Sequence, residues 1–254
     1  MLTHRLLCPS TRLGEVREVL RPDDAIDLVL IVNEGIDGVA PAVAEIAAEP
    51  RLRLVALECP VYALETSDPA GALALALGGL EGARIPFEVS LCMLPAHIRQ
   101  SGVMAAAIAE RDHARPVAVK LWCGPDAEGE YPTDDDLAGA LCSVARVGGE
   151  TRAAAGLHHT AVRTPSEAGP GPHGFLNLVL AAADAATGED FSSVAETLRV
   201  TDTAAVVERL LKLTHTQARA ARRLLTTFGA ADPRAPIRLA QQAGIDLAED
   251  EIGG

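Results

Sequence analysis

Arg115-Pro-Val-Ala-Val-Lys-Leu-Trp-Cys-Gly124 reads as a buried β-strand with a lysine set into it. Side chains alternate along a strand, so Ala118, Lys120 and Trp122 share one face. Of the 22 basic residues only two, Lys120 and Lys212, are lysines. A chain that makes its surface charge with arginine has little ordinary use for lysine inside an apolar run. Arginine there stays charged, whereas lysine shifts its pKa readily on desolvation and serves as a base or an amine nucleophile. A lysine on a sheet edge, or one paired with a buried carboxylate, would account for Lys120 without any chemistry.

Outward from this strand the same cycle repeats. Ile26–Val32 is a continuous apolar run, the pattern of a strand covered on both faces, and it stops at the turn Asn33-Glu34-Gly35. Leu52–Leu57, Ile85–Leu91 and Arg152–Leu157 are further strands. Helical spacing fills the intervals at Thr11–Leu20, Val39–Ala48, Pro69–Leu80, Pro95–Glu110 and Asp134–Val147. Strands therefore recur about every 31 residues, the length of one βα unit. Such alternation predicts a parallel sheet with right-handed crossovers. The expected fold is α/β, a (β/α) barrel-like parallel sheet, incomplete because only five strands are clear; the alternative is an open doubly wound sheet.

From Gly174 onward the chain reads as helical, over Phe175–Ala186, Ser192–Leu198, Thr203–Leu213, Gln217–Phe228 and Ala235–Ala243, with an acidic frayed tail after Asp246. No linker divides residues 1–254, so a single α/β domain is expected, βα units over 1–173 and a helical part over 174–254.

Composition narrows the class. The 254 residues are 48% hydrophobic and 22% charged, as in globular chains, with only 3% aromatics. Alanine, leucine and valine must fill the core, which suits closely layered helices and strands. A net charge of −13 argues against nonspecific binding to nucleic acid or anionic lipid. No run is long and apolar enough for a membrane span, no signal peptide is evident, and the five cysteines form no Cys-x-x-Cys pair. Those features predict a cytoplasmic protein with reduced thiols. Neither Gly-x-Gly-x-x-Gly, a Walker loop nor Gly-x-Ser-x-Gly is present, so nucleotide cofactors and serine hydrolase chemistry gain no support.

In parallel α/β folds ligands bind at the C-terminal ends of the strands. Glu34, Glu58, Glu88, Lys120, His158 and His159 each follow or end an apolar run. Glu34 sits in a plain turn. Glu88 and Lys120 have apolar neighbours on both sides, and an ion pair between them would be catalytic or would simply satisfy two charges. His158 and His159 point to opposite sides if their strand continues. Gly156 marks close approach by a ligand or a neighbouring backbone. His173 and Asn177 lie four apart at a helix start and so on one helix face. Cys59, Cys92 and Cys123 read as small core residues. Three histidines and two glutamates would supply a divalent metal, but no ligand spacing such as His-Glu-x-x-His is present, and no metal ligand is assigned.

Lys120-Leu-Trp-Cys-Gly-Pro125, Ala155-Gly-Leu-His-His-Thr160 and His173-Gly-Phe-Leu-Asn177 resemble three motifs of an uncharacterised bacterial family: Lys-x-Arg-x-Gly-Gly, Ala-Gly-Leu-His-His-Pro and His-Gly-Phe-Leu-Asn. The resemblance covers roughly residues 26–245. It implies a barrel-like α/β fold with one site, and carries no established activity. Trp122-Cys123 stand where that pattern has its arginine, and Ala230-Ala231 stand in a segment that has lost a Ser-Cys-Ser.

These features predict an enzyme acting on a small oxygenated or carboxylated metabolite by aldolase, lyase or isomerase chemistry. Lys120 is the Schiff-base amine or base, with His158 and Glu88 as proton-transfer partners. Glu58, Arg152, His159, His173 and Asn177 are the expected substrate-binding residues. A non-catalytic small-molecule binder and a metal-dependent hydrolase are the alternatives; cofactor and oligomeric state are not specified by the sequence.

Overall fold

The computed structural model describes residues 5–34, 38–60, 69–82, 88–93, 95–111, 117–125, 129–157, 159–164, 171–232 and 234–245. The chain divides into two compact units, one formed by Thr3–Cys92 with Glu110–Ala118, the other by Met93–Ala109 with Val119–Gly254. The expected tail after Asp246 lies outside the described residues.

The first unit alternates strands β1 (Arg5–Pro9), β2 (Ile26–Ile31), β3 (Leu52–Pro60) and β4 (Glu88–Met93) with helices α1 (Leu13–Val19), α2 (Val39–Ala47) and α3 (Pro69–Gly82). β1 pairs in parallel with β2, β2 with β3 and β3 with β4. Leu28, Val29 and Leu30 are all buried, as an uninterrupted apolar strand covered on both faces requires. At the start of the strands Arg53 forks onto Asp27 with bonds of 2.6 and 2.7 Å, and those bonds hold the Asp27 carboxyl below its ordinary range. β1 is a finding beyond the sequence reading. Five residues ending in proline carry too short a pattern to register as a strand, and pairing with β2 makes them one.

The second unit opens with a 3₁₀ segment over Pro95–Gln100 and α4 (Ser101–Ala109), where the sequence predicts one continuous helix. It continues through β5 (Val117–Trp122), α5 (Asp134–Arg146), β6 (Thr151–Ala154), α6 (Phe175–Thr187), α7 (Phe191–Arg199), α8 (Thr203–Leu211), α9 (His215–Leu224), β7 (Leu225–Gly229) and α10 (Arg234–Gln242). β5, β6 and β7 are parallel and adjacent in sequence order. In each unit, then, neighbours in the sheet are neighbours in the chain. That is the singly wound order of a (β/α) barrel-like sheet, and among the described strands the reversal that defines a doubly wound sheet is not present.

β7 corrects the expected helix over Gln217–Phe228. Thr226, Thr227 and Phe228 are strand-forming types, and β6 offers them a ladder. The Thr151 hydroxyl donates to the Leu224 carbonyl at 2.7 Å, ending α9 where β7 begins.

α5 packs on α4, α6 and α7, and α6 packs on α7, α8 and α9. Ala138, Ala140, Ala181, Ala182 and Ala183 are buried along these contacts, so the scarcity of aromatics is met by close approach of helices. Each of the three aspartates opening α5 has its own task. Asp134 faces inward, Asp135 pairs with Arg199 on α7, and Asp136 completes a capping box with Thr133 while accepting from Arg99 at 2.6 Å. None of the helices among the described residues is long and apolar enough to cross a membrane.

The capping box makes a testable acid response. Burial acts to raise the Asp136 carboxyl, and hydrogen bonds from Thr133 and Arg99 outweigh it, leaving the group below its ordinary value. A lowered folded pKa means the stabilisation is complete above an unfolded aspartate value of about 3.9 and fades as pH falls through the folded one. Urea denaturation between about pH 6 and pH 2 should show this acid loss, with Asp136→Asn removing part of it. Thr133→Ala should cost about 1 kcal/mol at neutral pH.

Candidate functional site

β5 and β6 set two cations side by side. Lys120 pairs in register with Arg152, and both are buried, at 5% and 6% exposure. The sequence names both residues, and the register makes them neighbours on one face. Parallel strands lie about 4.8 Å apart, so the two stems leave the sheet at that separation.

Trp122 stands two residues further along the same face as Lys120, 40% exposed, and its indole N–H donates to the Pro125 carbonyl at 3.1 Å. Beyond it the ends of β5 and β6 cross tightly. A Cβ on Gly124 would lie 2.7 Å from the Ala155 Cβ, and one on Gly156 would lie 2.9 Å from the Cys123 carbonyl oxygen. The close approach read from Gly156 is therefore to a neighbouring backbone. Ala155 itself has φ 63°, a left-handed conformation costly for alanine and held here by the strand crossing. β6 ends at Ala154 for this reason, three residues before the expected boundary.

The His173-Gly-Phe-Leu-Asn177 motif forms a separate knot. His173 is 1% exposed; its Nε2 lies 2.7 Å from the Pro132 carbonyl, which can only accept, so that nitrogen carries the proton. Nδ1 lies 3.1 Å from Arg163 Nη1 and 3.2 Å from Asp134 Oδ1, and the same guanidinium nitrogen sits 2.9 Å from that carboxylate oxygen. Asn177 is fully buried. Its Oδ1 accepts from the Arg163 amide at 3.0 Å, and its Nδ2 donates to the Thr197 and Val200 carbonyls at 2.9 and 2.8 Å. A Cβ on Gly174 would fall 2.4 Å from both the Arg163 nitrogen and Asn177 Oδ1. These residues, expected to orient substrate, join the 160–164 segment to α5, α6 and α7. Their polar atoms are directed at the chain itself. Arg163 and Asp134, absent from the predicted site residues, are the charged half of the knot; the three aspartates after Thr133 were visible, but their partner lay far along the chain.

The other expected residues fall elsewhere. Glu88 is the first residue of β4, opposite the C-terminal end at which ligands bind in parallel α/β folds, and it meets Arg5 of β1 at 3.5 Å. Both side chains are substantially exposed, where an ion pair contributes little. Glu58 is buried near the C-terminal end of β3, and burial together with its charge pushes the Cys59 thiol up to about 11. Burial alone lifts Cys123 to about 12, against a small opposing hydrogen bond from Ala154. His159 is exposed past β6, and His158 lies outside the described residues. Among the described residues no group of three or more His, Cys, Asp or Glu is placed to hold a metal. A groove lined by Ala145, Gly148, Gly149, Ala186, Ala220 and Arg223 contains none of the expected site residues.

No protein-family model matches the chain, and no curated protein matches it. Among solved structures a similar chain is the HMG-CoA lyase from Brucella melitensis, 13% identical, aligned over 93% of this chain and 74% of that one with a TM-score of 0.29. Likeness at that level carries no argument about activity.

Two outcomes test this description. Gly174→Ala should destabilise the protein by at least about 2 kcal/mol in denaturant unfolding, because backbone and a buried amide would have to move. Cys59 and Cys123 should resist a thiol reagent near neutral pH until the protein is unfolded, as the thiolate is the reactive form.

Proposed function

We propose that the protein is an enzyme of the aldolase or lyase type that binds a small carboxylated carbonyl compound, with Lys120 as the imine-forming amine and Arg152 as the carboxylate anchor. The observation that carries this reading is the in-register placement of the two cations, buried, on one face of β5 and β6. Arginine presents a planar fork suited to bidentate carboxylate binding. Lysine one strand away supplies the nucleophile for the carbon next to that carboxylate.

In the first step the neutral Nζ adds to the carbonyl carbon, and water leaves to give the imine. Its protonated form draws electrons from a neighbouring C–C or C–H bond, which is how lysine chemistry serves lyases and isomerases. Strain at Ala155, at the end of the anchor's own strand, fits a site built from constrained backbone. His158 enters this proposal as the proton-transfer partner on the strength of its place in the sequence alone.

Borohydride trapping tests the reading. Incubation with pyruvate and related 2-oxo acids, followed by reduction, should add to Lys120 the mass of the acid less one oxygen atom. Lys120→Arg keeps the charge and should abolish labelling. Absence of adduct with every acid tried overturns the lysine mechanism, and thermal stabilisation by the same acids would then leave a binding protein.

A further inference from the structure

We infer that Thr227 completes a three-strand carboxylate cradle with Lys120 and Arg152, and that Trp122 restricts the ligand to monocarboxylic acids with an apolar or aromatic body. This rests on the proposed carboxylate site and deepens it by naming the substrate class.

The pairing of strands defines two rows on one face. In the first, Lys120 of β5 stands opposite Arg152 of β6, which stands opposite Thr227 of β7. In the second, two residues nearer the strand ends, Trp122 stands opposite Ala154 and Ala154 opposite Gly229. The residues that carry amine, guanidinium and hydroxyl thus stand in a row about 10 Å long at the backbone, two strand spacings. All three donate hydrogen bonds, and the arginine is in the middle.

Thr227 reaches that position only through an irregularity. The β6–β7 register shifts between Thr151 and Arg152, so that Thr151 pairs with Leu225 but Arg152 pairs with Thr227. Thr226 is the extra residue, and its hydroxyl donates to the Thr151 carbonyl at 3.2 Å. Without the shift the residue opposite Arg152 would be Thr226. Bulges of this kind re-aim side chains beside functional sites.

The second row sets the ligand's body. Ala154 and Gly229 put little side chain beyond Arg152, and Trp122 flanks them on the β5 side. Because its indole N–H is committed to Pro125, the tryptophan offers ring surface rather than a donor. No residue of this row carries a charge. A second carboxylate extending from the cradle would meet no cation in the row, whereas an aryl or branched alkyl group would cover the apolar surface of Trp122. The ligand class is therefore a 2-oxo acid with an apolar side chain, in preference to a 2-oxo dicarboxylate.

Titration calorimetry with acids that lack the carbonyl tests this independently of imine chemistry. The probes are 3-phenylpropanoate, propanoate and glutarate. Wild-type protein should bind 3-phenylpropanoate about tenfold more tightly than glutarate. Trp122→Ala should lose about tenfold on 3-phenylpropanoate and leave propanoate unchanged, with Trp122→Phe retaining most of the affinity. Thr227→Val should weaken all three acids about tenfold, while Thr227→Ser, which keeps the hydroxyl, should not. Glutarate binding as tightly as 3-phenylpropanoate, or unchanged affinity in either Trp122→Ala or Thr227→Val, overturns the inference. Failure of borohydride trapping alongside the expected binding pattern removes the lysine mechanism and leaves the cradle. Successful trapping without that pattern does the reverse.

Discussion

The contact from His173 Nε2 to the Pro132 carbonyl anchors much of the second unit. It is made by a buried imidazole whose other nitrogen meets Arg163, and Arg163 meets Asp134 at the first turn of α5. One ring thereby ties the approach to α5, the segment after β6 and the start of α6. Removing one member would leave a buried polar group without its partner, which costs far more than a typical hydrogen bond contributes. Asn177 and Gly174 extend the tie to α7 by donating to the Thr197 carbonyl and by admitting the Arg163 backbone where any larger residue would collide.

That rigidity has a consequence for β5 and β6. Their ends cross at Gly124 and Gly156 with Ala155 in a left-handed conformation. Such a conformation persists only where the surrounding structure over-determines it. The segment that follows is held by the His173 knot, and the segment before it by the ladder between β5 and β6. Lys120, Arg152 and Trp122 are presented from this constrained region, on strands rather than on loops, which favours precise placement of their side chains.

Periodicity made most elements legible. Continuous apolar runs marked β2, β3 and β5, and apolar spacing behind three opening aspartates marked α5 nearly to the residue. The capping box Thr214-x-x-Gln217 was also present to be read and would have started α9 at His215. β1 and β7 were not legible. Each is five residues long, and a short apolar stretch becomes a strand only when a neighbour supplies hydrogen bonds. Glu88 illustrates the same limit. Flanking apolar residues showed that it belonged to a strand but not which end of the strand it occupied, and that end decides whether a carboxylate faces a ligand site or Arg5.

By itself the sequence determined the parallel α/β class, the helical C-terminal third and the burial of Lys120, because these follow from local period and composition. Tertiary structure alone decided which polar residues meet. Register placed Arg152 beside Lys120 and, through one extra residue, Thr227 beside Arg152. Long-range hydrogen bonds turned His173 and Asn177 inward. Spacing along a chain says which face a side chain takes, but its partner depends on a second stretch of chain that the local pattern does not contain.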